Sequence, residues 1–260
     1  MNFRTASTLL AIFLLVPIAS AQSSGFDNSA LQSKGYDDGT LQSKIATKLS
    51  QDAALQDDQL TVAVSNGVVT VSGTVDTLWE TWKARDDAAS VFGVVGFESQ
   101  LTIEDRGVPD SSLQNAVEDA LRRNLLASPQ VGTIEASVQN GVVTFTGTVR
   151  DARKRYDARD AAGKQPGVKE VVDHLQSPAS TDDLIQQSVA SILAGGTGTP
   201  ISGDIRTTVE DGVVTLSGTT LLLSGIYGAE ERVMGVNGVT GVVLQLTVQP
   251  PSREVKTLRP

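Results

Sequence analysis

Ser65-Asn66-Gly67-Val68-Val69-Thr70-Val71-Ser72-Gly73-Thr74-Val75 is written twice more in this 260-residue chain. The second copy is Gln139-Asn140-Gly141-Val142-Val143-Thr144-Phe145-Thr146-Gly147-Thr148-Val149, and the third is Glu210-Asp211-Gly212-Val213-Val214-Thr215-Leu216-Ser217-Gly218-Thr219-Thr220. Self-similarity at a regular period makes each copy one structural unit, so the chain is a fold of roughly seventy residues used three times. Asn-Gly or Asp-Gly near the head of each copy marks a two-residue hairpin turn, because a type I′ turn requires positive φ at both central residues.

Before each turn lies a strand of period two: Leu60, Val62, Val64; then Ile134, Ala136, Val138; then Ile205, Thr207, Val209. The return strand covers 68–75, 142–149 and 213–219, and Gly73, Gly147 and Gly218 near its end predict a bulge or a close backbone approach. Upstream, Leu41, Ile45, Leu49; Leu113, Val117, Leu121; and Ile185, Val189, Ile192 form apolar stripes of a first helix. Downstream, Val75 to Gly93, Val149 to Gly167 and Thr220 to Gly238 are each eighteen residues apart. That span is a second helix, in which Trp82, Tyr156 and Tyr227 share one position. A last strand opens at Gly93-Val94, Gly167-Val168 or Gly238-Val239.

The fold class is therefore α+β, with three tandem α-β-β-α-β units. In each, a three-stranded mixed sheet carries two helices on one face, and the second helix is a right-handed crossover to the last strand. The expected boundaries are repeat 1 over 39–104, repeat 2 over 110–177 and repeat 3 over 181–249, with a C-terminal tail over 250–260.

Residues 1–21 read as a signal peptide: Arg4 supplies the positive end, Leu9 to Ile18 the apolar segment, and Ala19-Ser20-Ala21 the small-residue cleavage site. Residues 22–38 are rich in Ser, Gly, Asp and Gln and read as a flexible linker. The chain is expected in the periplasm after cleavage, with no transmembrane span in its mature form. With no cysteine and His174 as its one histidine, it offers neither a thiolate site nor a multi-histidine metal site, and no cofactor is expected. A formal charge of -9 argues against nucleic acid as a partner.

The run of strand, (N/D)-G-V-V-T, (S/T)-G-T, helix, Gly-Val and strand resembles the BON domain, named for bacterial osmotic-stress and nodulation proteins. The likeness covers about 39 to 249 in three copies. It implies α/β units without catalytic activity, binding to phospholipid or envelope surfaces, and a role in osmotic-stress protection. The partners it implies are anionic phospholipid headgroups or envelope proteins.

Charge separates the repeats. Counted basic against acidic, repeat 1 has 4 and 9, repeat 2 has 9 and 9, and repeat 3 has 2 and 7. Eight of the nine cations of repeat 2 are Arg122 and Arg123 near its first helix and Arg150, Arg153, Lys154, Arg155, Arg159 and Lys164 around its second. They read as a lipid-binding patch, or as a solvated face paired with Asp151, Asp157 and Asp160. Leu78 and Trp79 in repeat 1 and Leu221 and Leu222 in repeat 3 are candidate interface residues. Trp79 aligns with Arg153 and Ser224 and is expected either to point outward or to be a half-buried aromatic; Leu221-Leu222-Leu223 is expected to open a helix weakened by Gly225 and Gly228. His174 aligns with Gln100 and Gln245, an ordinary strand position. Neighbouring acids in Asp57-Asp58 and Asp86-Asp87 do not converge as a catalytic pair would. The reading is a non-enzymatic envelope protein that acts by surface contact. The alternative is a periplasmic chaperone or adaptor that takes a partner strand on an open sheet edge.

Overall fold

The hairpin turns form as their chemistry requires. φ is 52° and 76° at Asn66 and Gly67, 54° and 78° at Asn140 and Gly141, and 50° and 77° at Asp211 and Gly212. The computed structural model describes residues 37–56, 58–126, 132–195 and 201–249. The expected signal peptide, the linker as far as residue 36, and the tail from 250 to 260 lie outside the described residues.

Repeat 1 runs α1 (Asp38–Gln51), β1 (Thr61–Ser65), β2 (Val68–Val75), α2 (Leu78–Ala89) and β3 (Gly96–Ile103). Repeat 2 runs α3 (Asp110–Leu121), a π-helical turn (Arg122–Leu126), β4 (Gly132–Gln139), β5 (Val142–Val149), α4 (Lys154–Gly163) and β6 (Glu170–Gln176). Repeat 3 runs α5 (Asp182–Leu193), β7 (Gly203–Glu210), β8 (Val213–Thr220), α6 (Leu223–Met234) and β9 (Gly241–Val248). Two boundaries differ from the sequence reading. Asp37 and Asp38, placed in the linker, cap and begin α1: Asp37 Oδ1 accepts the Thr40 N–H at 3.0 Å. Leu221 and Leu222 precede α6, which opens at Leu223. α6 still runs twelve residues in spite of its two glycines, because it buries Leu223, Ile226, Ala229 and Val233 and tertiary packing outweighs propensity.

Each sheet places the return strand in the middle, antiparallel to the strand before it and parallel to the strand after α2, α4 or α6. Both helices lie on one face. Val69 and Val71, Val143 and Phe145, and Val214 and Leu216 point into that layer and are fully buried. The helix stripe supplies the other half: Leu41, Ile45 and Leu49 in repeat 1 and Leu113, Val117 and Leu121 in repeat 2. Each such side chain stabilises the unit by about 2 kcal/mol on burial. At Gly147 the backbone of β4 approaches so closely that an added Cβ would meet the Thr133 carbonyl oxygen; Gly218 stands in the same relation to Asp204. These glycines mark close backbone packing rather than surface loops.

One device recurs in all three units. The first-turn aspartate of the first helix grips the hairpin turn. Asn66 and Gly67 donate their N–H groups to Asp38 at 2.8 and 3.0 Å. Asn140 and Gly141 donate to Asp110 at 2.7 and 3.0 Å. Asp211 and Gly212 donate to Asp182 at 3.0 Å each. The carboxylate also sits at the positive end of its own helix.

Candidate functional site

The second helix follows the central strand at a fixed distance, so equivalent side chains are counted from Val75, Val149 and Thr220. Seven residues on stand Trp82, Tyr156 and Tyr227; ten residues on stand Arg85, Arg159 and Glu230. These positions meet between repeats. The Arg159 guanidinium of repeat 2 lies 3.9 Å from the ring centroid of Trp82 in repeat 1. Arg85 of repeat 1 lies 4.5 Å over Tyr227 of repeat 3. Glu230 of repeat 3 bears electrostatically on Tyr156 of repeat 2. The position-ten arginine of two repeats thus lies over the position-seven aromatic ring of another, the position-ten carboxylate of the third acts on the remaining ring through charge, and the three relations close in a cycle.

The flanks repeat the pattern. Leu78, three residues after Val75, packs against the core of repeat 2. Leu223, its equivalent, joins the core of repeat 1 together with Ile226 and Val248. The third equivalent, Ala152, is buried and donates its N–H to Asn237 Oδ1 at 2.8 Å. Gly163 leaves room for the Trp82 ring, where a Cβ would stand 2.6 Å from it. The three units thus share a pseudo-threefold seam.

Burial sets the electrostatics there. It raises the Glu230 carboxyl above its ordinary pKa, against the pull of Arg85 and Arg159. Burial, with Glu230 and Glu231 beside it, raises the Tyr156 phenol. Burial and the neighbouring Arg85 lower the Arg159 guanidinium.

This seam and the local ion pairs divide the cations of repeat 2 into two sets. Arg155 and Arg159 correct the sequence reading of a lipid-facing patch. Arg155 Nε bonds to Asp173 on β6 at 2.7 Å with its side chain 10% exposed, and Arg159 is committed to Trp82. Lys154 pairs with Asp157 at 2.6 Å, and Lys164 with Asp160 at 3.0 Å. Lys164 also lies 4.9 Å over Trp79, which is half-buried at the seam, the second of its two expected placements, and does not point outward. Arg122 stands 3.5 Å from Asp119 and 3.9 Å from Glu118. Arg123, Arg150 and Arg153 are exposed. The turn bearing Arg123 touches α4, and the paired residues Gly132 and Val149 bring the entry to β4 beside the exit of β5, next to Arg150.

Leu221 and Leu222 are half-buried, with Thr220 Oγ1 donating to the Leu222 carbonyl at 2.9 Å. His174 stands exposed on the open face of β6, in register with Thr146. Asp87 is buried and paired with Lys83 at 2.9 Å, and Asp86 with Arg85 at 2.8 Å. Asp57 lies outside the described residues. Sequence reasoning missed the seam; its signal was the aromatic residue repeated at one position with a charged residue three further on.

The sequence profile of the BON domain matches residues 37–105, 109–178 and 181–250. The chain belongs to the BON domain family. Membership supports an envelope-associated, non-enzymatic protein, since BON domain proteins are generally non-catalytic and are typically periplasmic or envelope-associated. Among the described residues no helix is long and apolar enough to cross a membrane. No curated protein matches the chain. Two solved structures of CdsD, a structural protein of the type III secretion system of Chlamydia trachomatis, align with it at 11% identity. One, the C-terminal domain, is aligned over 80% of this chain and 96% of its own at a TM-score of 0.22; the other over 81% and 92% at 0.23. Likeness at that level carries no argument about this BON protein.

Proposed function

We propose that this BON protein holds to an anionic envelope surface, phospholipid headgroups in particular, through Arg123, Arg150 and Arg153 of repeat 2. The observation that carries the reading is the division of cations. Arg155 is spent on Asp173, Arg159 on Trp82, and Lys154 and Lys164 on neighbouring aspartates, whereas these three arginines are exposed. Each basic residue near an anionic bilayer contributes about 1 kcal/mol. Three together give about 3 kcal/mol, enough for reversible attachment but not for permanent anchoring. The net charge of -9 opposes long-range attraction, so attachment depends on close approach of one face, within the screening length of about 10 Å at moderate salt.

Flotation with phosphatidylglycerol vesicles and with phosphatidylcholine vesicles tests the reading. The chain floats with the first and not the second, and high salt releases it. Equal flotation with both, or retention at high salt, overturns it.

A further inference from the structure

The three units end in edge strands that differ in one respect. β3 carries Glu98, and β6 carries Glu170 and Asp173, whereas β9 reads Gly-Val-Val-Leu-Gln-Leu-Thr-Val and carries no charge. Natural sheets guard their edges with charge, proline or bulges, because a row of outward N–H and C=O groups templates pairing with another chain. At two opposite edges a glutamine from the first helix engages the strand: Gln114 Nε2 donates to the Ala136 carbonyl at 2.6 Å and Gln186 Nε2 to the Thr207 carbonyl at 2.9 Å.

The first half of β9 is exposed as well as uncharged. Val243 is 44% and Leu244 37% exposed, and Val213 on the adjoining strand and Leu184 on α5 are exposed too. Val213 pairs with Gly241, so it flanks the start of β9. The sister repeats differ here. Leu184 stands where Thr40 and Ser112 stand, and Leu244 where Ser99 and Asp173 stand. Repeat 3 is therefore apolar on its surface at places where its sisters are polar.

The surroundings are acidic. Asp182 grips the turn of Asp211 and Gly212, and Thr240 donates its N–H to the Gly212 carbonyl, which brings that turn to the head of β9. Asp183 neighbours Leu184, and Glu210 pairs with Val213. Repeat 3 as a whole holds 2 basic and 7 acidic residues. That field attracts a cationic partner, repels an anionic bilayer, and repels the same surface of a second copy.

We infer that the Gly241–Gln245 edge of β9 is a docking site for an extended polypeptide segment of alternating apolar and basic residues, which adds to the sheet as a fourth strand. The added strand takes its affinity from main-chain hydrogen bonds and its selectivity from Val243, Leu244 and the carboxylates at the turn. This site shares no residue with the arginines of repeat 2.

The probe is an acetylated, amidated peptide of alternating valine and lysine, with a valine–glutamate peptide as its control, titrated into the isotope-labelled chain. The lysine peptide shifts the amide signals of Gly241–Gln245 and slows their hydrogen exchange, and the glutamate peptide does not. Val243→Lys with Leu244→Lys weakens binding at least tenfold. The milder pair Val243→Thr with Leu244→Thr weakens it with the thermal midpoint kept, so a folding defect in the first pair does not decide the matter. Shifts spread equally over β3 and β6, no shifts on β9, or equal binding of the glutamate peptide overturn the inference. So does protection of β9 that grows with protein concentration before any peptide is added, which assigns the edge to a second copy. Binding that appears only after removal of residues 250–260 also overturns it, by assigning the edge to the chain's own tail.

Discussion

Asp110 accepts two backbone N–H groups from a turn some thirty residues away, and Asp38 and Asp182 do the same in their units. A hydrogen bond to a charged group contributes about 1.5–3 kcal/mol when its partner would otherwise stay unsatisfied. These bonds lie near the surface, where water replaces part of the loss. Asp110→Ala is therefore expected to lower stability by about 2 kcal/mol, and Asp110→Asn, which keeps one acceptor oxygen, by less; denaturant unfolding of both variants checks the order. Glu230 is the other residue with a defined consequence. Burial raises its pKa, so the folded chain binds more protons there than the unfolded chain does. The sign follows: stability from this group is full below the ordinary carboxyl value of 4.5 and falls as pH rises through the raised value. Glu230→Gln is expected to raise the denaturant midpoint at pH 7 and to leave it unchanged near pH 4. A variant less stable than the parent at pH 7 would show that Arg85 and Arg159 depend on that carboxylate more than burial penalises it.

The second helix shows what a sequence reveals and what it conceals. Its length and place were legible, because the spacing from strand to glycine is constant and the apolar pattern is local. The hairpins were legible for the same reason: Asn-Gly and Asp-Gly permit few other conformations. The fate of Arg155, Arg159 and Trp79 was not legible. Arg155 finds Asp173 eighteen residues away across β6, and Arg159 finds Trp82 in another repeat. On the helix alone these arginines are indistinguishable from a solvated basic face, since pairing of this kind depends on how units pack. The same holds for Leu78 and Leu223, whose burial is between repeats rather than within one. Trp82→Ala is accordingly expected to cost about 3 kcal/mol, although the aromatic residue sits on a helix that could fold without it. The loss should appear as an early, separate unfolding step of one repeat in calorimetry. A single transition at an unchanged midpoint would show that the seam contributes little.

At the scale of the whole molecule, duplication and divergence have separate effects. The scaffold is copied three times, including the turn, the aspartate clamp and the crossover helix. Charge is not copied: repeat 2 is balanced, while repeats 1 and 3 are acidic. In a chain of net charge -9, the seam and local pairs absorb most cations of repeat 2 and leave Arg123, Arg150 and Arg153 exposed. Attachment to an anionic surface stands on that division. Two triple variants of equal charge test it: Arg123, Arg150 and Arg153 to Gln in one, and the paired residues Arg122, Lys154 and Lys164 to Gln in the other. Partitioning of both onto phosphatidylglycerol vesicles at low salt is the deciding measurement. Loss of binding in the first, with near-parental binding in the second, is the predicted result. Equal loss in both would reduce the effect to net charge and contradict the account.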